Sequence, residues 1–211
     1  MKYEKTLVTL IETVDWVVRL VALSLLWMAL SVAGAVVLGV GPATAAAFAI
    51  ARRWLRGDTG FSLFASACET FVHEFWKANG LVWAMAVPAA VLMIDMRYVT
   101  SHPGGAEAVF GLLSLIPLAL YAVTALYVFP VFVHFEIGLG QSIKTALLVG
   151  VANPLRSLVG LAMMLLLSMV GHWAVLWAVV PGLFIDGSMR LANGAFVKLH
   201  LDGKGVGTLA S

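Results

Sequence analysis

Charge is scarce in this chain. Asp, Glu, Lys and Arg together make up 11% of its 211 residues, against about 25% in an ordinary soluble domain. A soluble fold must solvate its surface, so this shortage, beside 62% hydrophobic residues, excludes an ordinary cytosolic enzyme and a disordered chain. Cysteine is almost missing as well. Cys68 stands alone, so no internal disulfide forms and a secreted disulfide scaffold is excluded. The formal net charge of +2 is too small to imply nucleic-acid binding. Catalytic motifs are lacking too. Residues 203–208, Gly-Lys-Gly-Val-Gly-Thr, have the composition of a phosphate-binding loop without its spacing. His73-Glu74 has no second histidine four residues on, so the zinc-protease motif is absent. No serine or cysteine sits in a recognisable nucleophile context. The expectation is a protein that is not an enzyme, with no catalytic residue, metal or cofactor.

What is plentiful is apolar side chain, with a mean hydropathy of +0.99. That predicts an all-α, polytopic membrane protein, because lipid leaves backbone polar groups to be satisfied within helices. One crossing needs about 20 mainly apolar residues. Residues 20–51 carry no charge, which is too long a run for one crossing, and Gly39, Gly41 and Pro42 punctuate it. The predicted spans are 20–38, 42–56, 81–100, 108–135, 154–170 and 173–197, within a single integral domain covering 1–211. Asn153 and Pro154 read as a helix start, an N-cap followed by proline at the first position. Gly171 and His172 read as a tight turn. The first span reads as uncleaved, because Glu4, Glu12 and Asp15 do not suit a signal peptide.

The basic residues orient the spans. Six crossings put both termini and every Lys and Arg except Arg97 on the cytoplasmic side. Five crossings, with residues 42–56 left uncrossed, strand Lys2, Lys5 and Arg19 opposite Arg52, Arg53 and Arg56.

Three segments read as amphipathic. Leu7, Leu10, Ile11, Val14 and Val18 share one face of a lead-in helix over residues 1–19. Phe61, Phe64, Cys68, Phe71, Val72 and Phe75 recur at helical spacing over 61–77, opposite Glu69, Thr70, His73, Glu74 and Lys77. This is the pattern of a helix in the cytoplasmic interface. Residues 139–152 form a second such helix, with Gln141, Ser142, Lys144 and Thr145 as its polar side. Span, interfacial helix and span thus occur twice in one orientation, which suggests a parallel internal repeat.

Ionisable residues within spans are candidate sites. Asp186 and Arg190 are one turn apart, either as a polar patch in a solute pathway or as an ion pair facing another helix. His134 and Glu136 are two residues apart, too few ligands for a metal. Arg52, Arg53 and Arg56 are candidate lipid-headgroup or partner contacts. Ala43, Ala47 and Ala51, following Gly41 and Pro42, form a small-residue face for close helix packing.

Three stretches carry a family resemblance. They are Gly41-Pro42-Ala43-Thr44-Ala45-Ala46-Ala47 leading to Arg53-Trp54-Leu55-Arg56-Gly57; Phe129-Pro130-Val131-Phe132-Val133-His134-Phe135-Glu136; and Lys144-Thr145-Ala146-Leu147 with Asn153-Pro154-Leu155-Arg156. Together they closely resemble the YesL family of bacterial integral membrane proteins, usually described with about five spans. The family is a domain of unknown function whose genes often neighbour those for carbohydrate uptake. The resemblance implies a role near carbohydrate import, and the two interfacial helices and the arginine cluster on the cytoplasmic side suggest an accessory subunit bound to the membrane subunits of an ATP-binding-cassette (ABC) sugar importer. A small permease acting alone is the alternative, motivated by the repeat and by Asp186 and Arg190.

Overall fold

Among the residues described by the computed structural model (2–102, 104–135, 137–170 and 179–201) the chain forms eight helices and no strand. They are α1 (Lys2–Ala33), α2 (Val40–Leu55), α3 (Leu63–His73), α4 (Phe75–Ser101), α5 (Gly105–Phe135), α6 (Leu139–Ala152), α7 (Pro154–Val170) and α8 (Val180–Leu201). Glu136, the turn at Gly171 and His172, the opening of the last predicted span and residues 203–208 lie outside the described residues. Three stretches are long and apolar enough to cross a membrane: Thr9–Ala33, Phe75–Ser101 and Val109–Phe135. Leu139–Ala152 and Pro154–Met169 qualify as a fourth only as a pair, across a 105° bend. The helices fit a membrane protein embedded in lipid. Val87, Val91, Ile94, Phe110, Leu113 and Ile116 stand outward on α4 and α5, as expected where the solvent is hydrocarbon.

Several boundaries differ from expectation for local reasons. The first span ends at Ala33 instead of residue 38, because residues 34–39 form a tight turn. Ala35 and Val36 there hold φ of 60° and 61°, a left-handed conformation that is costly for a β-branched side chain. Gly34 and Gly39 meet so closely that a Cβ on Gly34 would fall on the Gly39 Cα. Residues 2–19 are not a separate lead-in but one continuous helix with the span. Leu10, Ile11, Val14 and Val18 all face outward. The predicted helix over 61–77 is two elements. Ser62 caps α3 by accepting from the Ala65 N–H, and Glu74 both closes α3 and opens α4.

The junction of α6 and α7 has the same one-residue form, at Asn153. Asn153 does not cap α7 with its side chain. Its Nδ2 donates back to the Val149 carbonyl at 3.1 Å, closing α6. Pro154 then has no N–H with which to continue the ladder, and the chain turns. The Gly150 carbonyl, which Pro154 cannot serve, accepts instead from the Asn153 N–H at 3.3 Å and from the Ser157 hydroxyl at 2.7 Å. The polar side expected of α6 is also redistributed: Gln141 and Lys144 are exposed, but Ser142 and Thr145 are buried beside Ala146 and Val149. Ser142 satisfies its hydroxyl on the Gly138 carbonyl of its own turn, so inward placement costs little.

At the centre lies α2. Gly41, Pro42, Ala43, Ala45, Ala46, Ala47, Phe48, Ile50 and Ala51 are all buried, and the helix touches α1, α3, α4, α5 and α8. Small side chains permit this crowding. Gly41 lies against the Ala78 carbonyl of α4, Trp27 Nε1 donates to Thr44 Oγ1 at 3.0 Å from α1, and the Phe48 and Phe129 rings stack at 6.1 Å. With 16 residues, α2 is about 24 Å long. It is not among the stretches that qualify as spans.

Candidate functional site

Helices α4 and α5 are antiparallel: Asp95 bonds Ser114, and Val99 packs on Gly111. The start of α4 and the end of α5 therefore open at the same end of the hairpin. A cavity of about 690 Å³ sits there. Helix α2 supplies Ala49 and Arg52, α3 supplies Glu69, Thr70 and His73, and the start of α4 brings Glu74 and Lys77. Phe132 and Val133 from α5, with Ile137, Gly138 and Leu139 leading into α6, close the remaining side.

Its charges are of both signs. The Arg52 guanidinium donates to the Val133 carbonyl at 2.7 Å, which ties the end of α2 to the last turn of α5. Glu74 Oε1 lies 2.7 Å from His73 Nδ1, and Lys77 Nζ stands 3.7 Å from Glu74 Oε2. Glu69 has no partner among the described residues. Helix α6 enters the wall at Gly138 with no side-chain cap and no acidic residue in its first turn. Its leading N–H groups therefore add positive potential.

On the opposite side of α3, Phe64, Val72 and the neighbouring Trp76 point outward, exposed by 66%, 74% and 80%. The helix thus faces outward with apolar side chains and lines the cavity with polar ones. A helix at a membrane surface takes this arrangement where a polar chamber lies inside.

The other candidate residues fall in different places. Arg53 is engaged within the protein: Nε donates to Asp58 Oδ2 at 2.8 Å, NH1 donates to Ser66 Oγ at 2.9 Å, and the guanidinium lies 3.7 Å from the centroid of the Phe61 ring. Arg56 closes α2 and is exposed. Asp186 is buried, and its Oδ2 accepts from Arg190 Nε at 2.7 Å and from Trp16 Nε1 at 3.3 Å. The pair therefore faces α1. The His134 ring packs at 4.7 Å from Phe135 and from Phe196. Ala43, Ala47 and Ala51 lie in the packed core around α2. No group of three or more metal-ligating side chains occurs among the described residues.

Glu69, His73, Glu74 and Lys77 were legible in the sequence only as a polar helix face. The Glu69–His73 spacing of four residues puts those two on one side. Nothing local signals that Arg52 and the start of α6 lie opposite them.

Comparison with known proteins places this architecture. The model of a family described as a protein of unknown function, DUF624, matches residues 20–96. The chain is 38% identical to the uncharacterized protein YesL of Bacillus subtilis (strain 168) over 141 residues, which are 66% of this chain and 65% of that protein. It is 31% identical to the uncharacterized protein YesV of the same organism, over 67% of this chain and 68% of YesV. It is 28% identical to the uncharacterized protein YteU, also from that organism, over 72% and 68%. The chain thus spans just under two thirds of the length of YesL. No solved structure matches.

Proposed function

We propose that this chain, which belongs to the YesL family (DUF624), is a non-enzymatic accessory protein of carbohydrate uptake. In this reading it docks on the membrane subunits of an ABC sugar importer. The carbohydrate setting rests on the family resemblance. The observation that carries docking is the outward row of Phe64, Val72 and Trp76 at the charged end of the hairpin, an apolar surface available to another membrane protein at headgroup depth. The test is purification of the tagged protein, in mild detergent, from its native host grown on oligosaccharides. Importer membrane subunits are expected to co-elute, and Phe64→Ser with Val72→Ser should reduce their recovery at least fivefold. Absence of those subunits from wild-type eluates overturns the reading.

The accompanying topology has six crossings in the cytoplasmic membrane, with both termini inside. It is supported by the gathering of Arg52, Arg53, Arg56 and Lys77 at one end of the α4–α5 hairpin, with Arg97 toward the other. A parallel duplication is supported by the matching one-residue breaks, Glu74 before α4 and Asn153 before α7. With Cys68 replaced by serine, a cysteine at Val37 is expected to label from outside and one at Gly60 only after permeabilisation. Labelling of both from the same side rules out the crossing by α2.

A further inference from the structure

We propose that the cavity between α2, α3 and the open end of the α4–α5 hairpin binds a zwitterionic aminophosphate diester. The membrane form of this group is the headgroup of phosphatidylethanolamine, and glycerophosphoethanolamine is a soluble form.

Three observations converge on this chemistry. The first is the sorting of charge. Arg52, Lys77 and the uncapped start of α6 supply positive potential, Glu74 lies against Lys77 and His73, and Glu69 offers a carboxylate with no partner among the described residues. A purely anionic ligand leaves Glu69 facing a like charge. A purely cationic one meets Arg52 and Lys77. A ligand carrying both signs sets its phosphate toward the basic side chains and the start of α6 and its ammonium toward Glu69. The second is depth. The walls are helix ends, the start of α4 and the last turn of α5, and the exposed Trp76 adjoins Lys77. Indole rings and lysines mark the headgroup level of a bilayer. The third is the mixed lining. Phe132, Val133 and Leu139 line the cavity beside its charged side chains, an apolar surface for the glycerol and first acyl carbons. The inference does not depend on importer docking.

Ethanolamine is distinguished from choline by its N–H donors. A primary ammonium donates to the Glu69 carboxylate, whereas a trimethylammonium cannot. Phosphatidylglycerol offers the phosphate without the amine.

The full-length protein in maltoside micelles is titrated with dihexanoyl phosphatidylethanolamine, the corresponding phosphatidylcholine and phosphatidylglycerol, and glycerophosphoethanolamine, with tryptophan fluorescence as readout. Phosphatidylethanolamine is expected to bind at least tenfold more tightly than the other two lipids. Lys77→Gln and Glu69→Gln, both at the cavity rim, should each weaken it at least fivefold with unchanged gel-filtration profiles. Glu69→Lys should turn the preference toward phosphatidylglycerol, a reversal that loss of structure does not produce. Comparable binding of glycerophosphoethanolamine assigns the soluble diester, and binding of the lipid alone assigns the headgroup; either outcome supports the site. Equal affinity for the three lipids, or variants that bind like wild type, overturns it.

Discussion

Gly182→Val is expected to separate α8 from α1 and to destabilise the protein by about 3 kcal/mol or more, the upper range for overpacking a fitted contact. A Cβ at residue 182 would fall on the Leu20 carbonyl oxygen of α1 and lie 2.8 Å from Ser24 Oγ. The obstacle is backbone, which has no rotamer by which to move aside. The same residue makes a specific bond: its N–H donates to Ser24 Oγ at 2.8 Å. Residue 182 stands in the first turn of α8, where an N–H has no partner within the helix, so Ser24 supplies the missing acceptor. Ser24→Ala removes that acceptor and adds no bulk. It should cost only about 1 kcal/mol. The comparison is made by titrating each purified variant with denaturing detergent and following helical circular dichroism. A Gly182→Val midpoint equal to that of Ser24→Ala sinks the close-approach explanation.

The second large effect contrasts two alanines on one helix. Ala47 is 1% exposed among Leu23, Phe48 and the neighbours of α2, whereas Ala49 lines the cavity. Ala47→Leu pushes three additional carbons into filled space and should destabilise by about 3 kcal/mol. Ala49→Leu extends into open volume and should leave stability within about 0.5 kcal/mol of wild type. By occupying the cavity it should also weaken phosphatidylethanolamine binding at least tenfold. The same detergent titration, paired with the lipid titration, separates these outcomes. An Ala49→Leu protein that binds lipid normally places the ligand elsewhere.

Much of the architecture was legible because its signals are local. Residues 81–100 and 108–135 fall inside α4 and α5, since apolar length alone marks such stretches. The start of α2 was read to within two residues from Pro42, whereas α1 ends five residues before the expected boundary. The break at Glu74 was not read, because Phe71 and Phe75 carry the apolar period straight across it and no glycine or proline marks it. Asp186 and Arg190 were visible as a pair at four-residue spacing. Trp16, the other donor to Asp186, is 170 residues away in sequence. The cavity was hidden for the same reason: its Arg52, its Glu69–Lys77 face and its α6 entry belong to separate segments whose meeting no local pattern encodes. Ser142 and Thr145 were read as surface because hydroxyls usually are, yet a hydroxyl bonded to its own helix can be buried.

The crowding around α2 also bears on the order in which the protein is made. Synthesis delivers α1 and α2 first and α8 last, but α2 is buried jointly by α1, α3, α4, α5 and α8. A short helix with mostly alanine on its buried face has little to hold it until those neighbours arrive. The first two helices are thus made early and enclosed late, and their final seating depends on contacts across most of the chain. The half-made chain passes through a stage in which this central helix lacks most of the neighbours that enclose it.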